Sequence, residues 1–216
     1  SHGPAIRPWQ TYRPVGIVLR MTASIPASSR PAPPRGQARA ALLAAAEALV
    51  REHGFAHLSV DRVAARAGVS KGAFFHHFAS RQAMVQALLG HLADCFEADI
   101  DARGAHGATF ARALVETVLH EAAQDGAFMA ALLSAVLIDP AAADVVDART
   151  GAWTQRMCAD GVDEATALTV RSVLDGVVLL CLHHAPGPVP VRELRLIRAR
   201  VLALLDSPFQ FDETAP

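Results

Sequence analysis

From about residue 36 onward the apolar positions recur at helical spacing, and no alternating stretch is long enough for a strand. Leu42, Leu43, Ala46, Leu49 and Val50 fall at i, i+1, i+4, i+7 and i+8, which predicts a first helix that Gly54 ends. Ser59 is a natural N-cap for a short helix over 60–67, with Val60, Val63, Ala64 and Ala67 facing inward and Gly68 breaking it. Ser70 caps a second short helix reaching about His77. Ser80 starts a longer one with Met84, Leu88, Leu92 and Phe96 on one stripe. Past Arg103-Gly104 the pattern predicts helices carrying Phe110, Leu114, Val118 and Ala122, and then 126–138. Asp139-Pro140 opens the next, with Val145, Val146, Trp153 and Met157. Asp163 caps 164–184, Pro186-Gly187-Pro188 turns the chain, and 191–205 closes it. The expectation is an all-α protein of about nine helices without internal repeats.

Domain limits follow from the same pattern. Residues 1–34 are rich in Pro, Ser and Arg and lack a helical period, so they are expected to be a flexible extension. With Arg30, Arg35 and Arg39 it is either an arm for phosphate or the minor groove, or a solvated tail. A small helical head is expected over 35–82, a larger helical body over 83–208, and a tail over 209–216.

Composition narrows the function. Apolar residues make up 52% of the 216, enough for a sizeable core. The net charge of −1 hides an asymmetry: residues 1–81 hold eleven basic and three acidic side chains, residues 82–216 nine and eighteen. A basic front on an acidic body suggests that only the front meets a polyanion. The three cysteines, Cys95, Cys158 and Cys181, form no disulfide framework, and a reducing cytoplasmic setting is expected. The most apolar run, Val177 to Leu182, falls far short of the roughly 18–20 residues that span a bilayer, so no membrane segment is expected.

Two short helices around Gly68 match a helix-turn-helix. Ala64 is small where the helices cross, Gly68 can adopt the left-handed turn, and Val69 and Phe74 can fill the space beneath. Ser70, Lys71, Gly72 and Ala73 then offer backbone N–H groups and a cation at a helix start. An ordinary helical corner has the same spacing. The stretch LSVDRVAARAGVSKGAFFHHFASRQAMVQALL, preceded by HGF, is more specific. It resembles the DNA-binding domain of the tetracycline-repressor (TetR) family from about Arg39 to Leu89.

That resemblance implies a C-terminal body for ligand binding and dimerisation, and a homodimer that reads double-stranded, palindromic operator DNA. It implies that Ser59 bonds a phosphate, that Lys71, Gly72 and Ala73 face the major groove, and that Phe75 and His77 follow the DNA backbone. It also implies that Arg81 neutralises a phosphate. Ser70 and His76 complete the expected DNA-binding set. Two hydroxyls common in the family, a Thr in the place of Ala73 and a Tyr in the place of Phe75, are missing here. Phe75 is therefore either a DNA contact or a packing residue. Lys71 is the only lysine among twenty basic side chains. Repression released by a small hydrophobic effector is the implied function, and a dimeric interaction or ligand-binding protein with weakened DNA binding is the alternative.

An effector would sit in an apolar cavity within 107–182, lined by some of Phe110, Leu114, Met129, Leu133, Trp153 and Met157, with His120 as a polar partner. Trp153 and Met157 are equally compatible with plain core. From Val177 to Leu182 the helix is apolar all round, and an all-round apolar helix must be covered. The helices over 164–184 and 191–205 are thus expected to form a four-helix bundle across a two-fold axis, with Val173, Val177, Leu180, Leu194, Ile197 and Val201 at the interface. The alternative places both in the monomer's own core. His76-His77 point apart, His91 and Cys95 are only two ligands, and His183-His184 end a helix. No metal, cofactor or enzymatic activity is expected, since GxSxG, Walker and Rossmann patterns are missing.

Overall fold

The computed structural model describes residues 37–207, apart from residue 186 and the side chain of Ile138. The expected extension and tail, with Arg30 and Arg35, lie outside the described residues. Eight α-helices and one 3-10 turn follow in order, with no strand among the described residues. They are α1 (Ala38–His53), a 3-10 turn (Phe55–His57), α2 (Val60–Ala67), α3 (Lys71–His77) and α4 (Arg81–Gly104). The body continues with α5 (Phe110–Ile138), α6 (Pro140–Ala159), α7 (Glu164–His184) and α8 (Val191–Leu205).

The boundaries obey local chemistry. Ser59, Ser70 and Ser80 each accept a hydrogen bond from the backbone N–H three residues on, at 3.3, 3.1 and 3.0 Å. Gly68 is left-handed at φ 70°, ψ 29°, and the Val69 N–H reaches back to the Ala64 carbonyl at 3.0 Å, turning α2 into α3. Asp139 and Asp163 cap α6 and α7. Within α5, Asp125 is non-helical (φ −141°, ψ 48°), and its carboxylate accepts from the Phe128 N–H as a fresh cap. That break is where the sequence predicted one helix to end and another to begin, so the eight helices are nine straight rods.

Two apolar clusters hold the fold. The first gathers Leu42, Leu49 and Val50 of α1, Val63 and Ala64 of α2, Phe74 of α3 and Met84 and Leu88 of α4. It extends past residue 82 to Phe128 and Ala135 of α5 and Ala142 of α6. The second fills the body with Leu114, Val115 and Val118 of α5, Met157 of α6, Val170, Leu174 and Val177 of α7, and Leu194 and Val201 of α8. Helices α5 and α7 pack closely at Gly126 and Cys181, where a Cβ on residue 126 would lie in ordinary contact, 3.5 Å from the Cys181 Sγ.

Helix α7 corrects one expectation. By length and composition it is the one described unbroken helix apolar enough to cross a membrane. Counting only the uninterrupted run Val177–Leu182 missed this, because isolated polar residues separate two apolar stretches. Its buried face, Thr166, Ala167, Val170, Leu174, Val177 and Cys181, lies inside the helical body.

Candidate functional site

The surface of α3 is where the expected DNA-binding residues meet. Lys71, Gly72, Phe75 and His76 are exposed, Ala73 and His77 are half-buried, and Phe74 is fully buried beneath them. Phe75 is 48% exposed, with its ring edge-on to Phe74, so it is a surface aromatic and not a core residue. Ser59 and Ser70 sit at the starts of α2 and α3. One expectation changes: the Ala73 N–H is taken by the Ser70 hydroxyl, so it is not a free donor at the start of α3.

Every basic side chain among the described head residues has a partner inside the protein. Arg39 lies over the Phe78 ring at 5.4 Å. Arg62 donates to the His57 carbonyl at 3.3 Å. Arg66 grips Glu52 with both terminal nitrogens at 2.5 Å, and this holds the Glu52 carboxyl below the usual glutamate range. Lys71 Nζ meets Asp61 Oδ1 at 2.9 Å. Arg81 is exposed but bonds the head's backbone: its Nε donates to the Leu58 carbonyl at 2.6 Å and its Nη2 to the Phe55 carbonyl at 3.2 Å. The residue assigned to a phosphate thus ties the start of α4 to the loop between α1 and α2. Arg51, at the end of α1, pairs with Glu47 and Asp125 and stacks on Phe128. It thereby joins the head to the break in α5.

A polar ladder that the sequence reading missed joins α4 to α6. Gln82 donates to Asp139 at 3.0 Å, Arg149 bonds Asp94 and Glu97 at 2.5 and 3.0 Å, and Arg156 bonds Asp101 at 2.7 Å. Trp153 Nε1 donates to Glu97 at 2.9 Å, and its ring packs on Phe96. The partners ascend together along both helices, so α4 and α6 run side by side in the same direction. Acids at 94, 97 and 101 facing donors at 149, 153 and 156 were the available signal.

The expected effector cavity is not open. Leu114, Trp153 and Met157 line a cleft between α5, α6 and α7, but with Thr150, Thr154, Arg171 and Asp175 around them. Its volume is about 30 Å³, room for water and far below the roughly 300 Å³ of a small-molecule site. Phe110 lines a separate opening of about 220 Å³ with Asp101, Arg156 and Asp160. Met129, Leu133 and His120 line neither.

Half of the residues expected at the dimer face lie in the core of the single chain. Val177, Leu194 and Val201 are 1–5% exposed in the single chain and belong to its own core. Val173, Leu180 and Ile197 are half-buried. The outward stripes are instead Leu168, Ser172 and Leu179 on α7, and Leu196, Ala199 and Ala203 on α8. Among the described residues no group of three ligands could hold a metal.

Comparison with known proteins agrees with this geometry. Residues 42–88 match the family model of bacterial regulatory proteins of the tetR family, and 108–206 match a tetracyclin repressor-like C-terminal domain. An HTH-type transcriptional repressor of Mycobacterium tuberculosis is 36% identical over 106 residues, 42% of this chain and 55% of that protein. The chain thus spans about half the length of this curated relative. A solved TetR-family structure from Streptomyces coelicolor is 25% identical, with a TM-score of 0.64 over 78% of this chain and 98% of the other. The multidrug binding protein EbrR, solved with malachite green, is 26% identical, with a TM-score of 0.64 over 80% and 99%.

Proposed function

The chain belongs to the tetR family of bacterial regulatory proteins, and from that premise we propose that it is a homodimeric transcriptional repressor released from its operator by a small hydrophobic effector. The observation that carries the DNA reading is the capped α2–α3 corner. Phe74 and Val63 anchor it from below, while Lys71, Gly72, Phe75 and His76 are exposed above. Two copies, joined through the outward stripes of α7 and α8, would set two α3 helices about one DNA turn apart, or a multiple of it, on a palindrome.

The effector reading draws on the likeness to EbrR and on the cleft at Trp153. Helix α6 supplies Thr150, Trp153, Thr154 and Met157 to that cleft, and Trp153, with Arg149, also carries the ladder to α4. A molecule that favours an open cleft would favour a different position of α6, and through α4 a different head spacing. It acts only by its differential affinity for the two states.

Selection of bound duplex from a random-sequence pool should return an inverted repeat, bound with a steep salt dependence. Weak binding without a consensus would refute the reading. The fully partnered head cations and the missing hydroxyls at 73 and 75 favour the second reading, a dimeric interaction protein. That reading predicts a stable dimer and no consensus in the same experiment.

A further inference from the structure

Two of the ion pairs in the head differ in design. Arg66 and Glu52 are matched fork to fork, with Nη1 on Oε2 and Nη2 on Oε1, so the pair is closed on itself. Lys71 and Asp61 meet through a single contact, Nζ to Oδ1, with side chains 59% and 73% exposed. An ammonium has three donors, so Lys71 can hold Asp61 with one and still present the others outward. Of the twenty basic residues only this one is a lysine. It is also the first residue of α3, on the face read above as the DNA surface.

Asp61 has no obvious use on a surface meant for a polyanion. It lies in the first turn of α2, where its charge suits the helix dipole, but phosphate would repel it. Its carboxylate also cancels the long-range attraction of the Lys71 charge. The Lys71 stem is long and flexible, and without Asp61 its ammonium would swing to whichever phosphate is nearest.

We propose that Asp61 is a specificity-determining residue: it holds the Lys71 ammonium off the phosphate backbone and aims it into the groove, so that Lys71 contributes to binding on the correct sequence and not on random DNA. This rests on the DNA-binding reading. The pair is a surface pair of small intrinsic worth, so a well-placed base acceptor can share Lys71 without a large penalty.

The test uses the full chain and two duplexes of equal length and composition, one recovered by selection on the wild-type protein and one scrambled. Asp61→Asn frees Lys71 for one phosphate, which steepens the salt slope on the scrambled duplex by about 0.9 and tightens binding roughly fivefold to tenfold at about 0.1 M salt. Affinity for the selected duplex should change less than about twofold, so the ratio between the duplexes falls. Asp61→Ser should behave alike and guards against a fold defect of the first variant. In a Lys71→Ala background Asp61→Asn should have no such effect.

An equal gain on both duplexes overturns the proposal, because Asp61 would then merely repel DNA. So does a gain that survives in the Lys71→Ala background, or no change on either duplex. If the wild-type protein binds neither duplex, the DNA reading itself falls and the proposal falls with it. If the wild type discriminates and the ratio is unmoved by Asp61→Asn, only the role of Asp61 is lost.

Discussion

Arg81 separates two accounts that the sequence could not. The family resemblance assigns it to a DNA phosphate, whereas its guanidinium donates to the Leu58 and Phe55 carbonyls, 23 and 26 residues back. A hydrogen bond to a charged group is worth about 1.5–3 kcal/mol net. Both bonds are only partly buried, and water can replace the donor at each carbonyl once the side chain is gone. We therefore take the lower end for the pair together, about 2 kcal/mol for Arg81→Ala, or roughly a thirtyfold change in the folded-to-unfolded ratio. For a chain of this size that lowers Tm by about 4–8 °C. Arg81→Lys is the sharper variant. It keeps the charge but has no planar fork to span two carbonyls, so it should lose most of the same stability. The assay is urea unfolding followed by circular dichroism, in parallel with the salt dependence of DNA binding. If Arg81→Ala leaves unfolding unchanged and flattens the salt slope by about one charge, the structural role is wrong and the phosphate role stands.

Two further predictions follow from burial. Leu179→Arg should dissociate the dimer while leaving the monomer folded. Burying the remaining half of Leu179 is worth about 1 kcal/mol per copy, so removing two copies weakens dimerisation at least tens-fold, and two facing charges weaken it further. Val201→Arg, by contrast, puts a charge into the monomer's core and should unfold it; sedimentation that finds a folded monomer for Val201→Arg and an intact dimer for Leu179→Arg would reverse the assignment. Glu121→Gln should stabilise the protein near neutral pH. Burial pushes the Glu121 carboxyl up, with Asp99 and Asp125 adding to the rise and His120 and Arg51 opposing it. A folded value above the unfolded one means that stability is complete below the ordinary glutamate range and is lost as pH rises through the folded value. The gain from Gln should therefore be present at about pH 7.5 and vanish at about pH 4, as urea unfolding at both values would show.

Local chemistry made much of the fold legible. Ser59, Ser70 and Ser80 are caps whatever the rest of the chain does, since each bond spans three residues. Gly68 sits where a left-handed residue is needed, and Asp125-Gly126 marks the break in α5. What escaped depends on distance in space. The bonding of Arg81 is set by where two remote carbonyls point. The small size of the cleft depends on how α5, α6 and α7 pack against one another, which no single lining residue reports.

That Val177, Leu194 and Val201 lie in the core has a more general physical cause. Periodicity identifies a stripe by contrast with polar neighbours, and from Val177 to Leu182 there is no contrast. Both sides of α7 are apolar there, so the pattern says that two surfaces must be covered and is silent on which covers which. The assignment comes from the partners. Val177 and Cys181 are claimed by the core of the chain's own body, and Val201 of α8 is claimed with them. Leu179, at 46% exposure, is left uncovered by the described residues, as are Leu168 and, on α8, Leu196. A second copy is the covering that needs no other gene product, and it doubles each contact through the two-fold axis. The small residues Ser172, Ala199 and Ala203 between these leucines would let the helices of the two copies approach closely. The sidedness of α7 is therefore decided by competition between two apolar faces for one core, and the face that loses is the one left for the proposed interface.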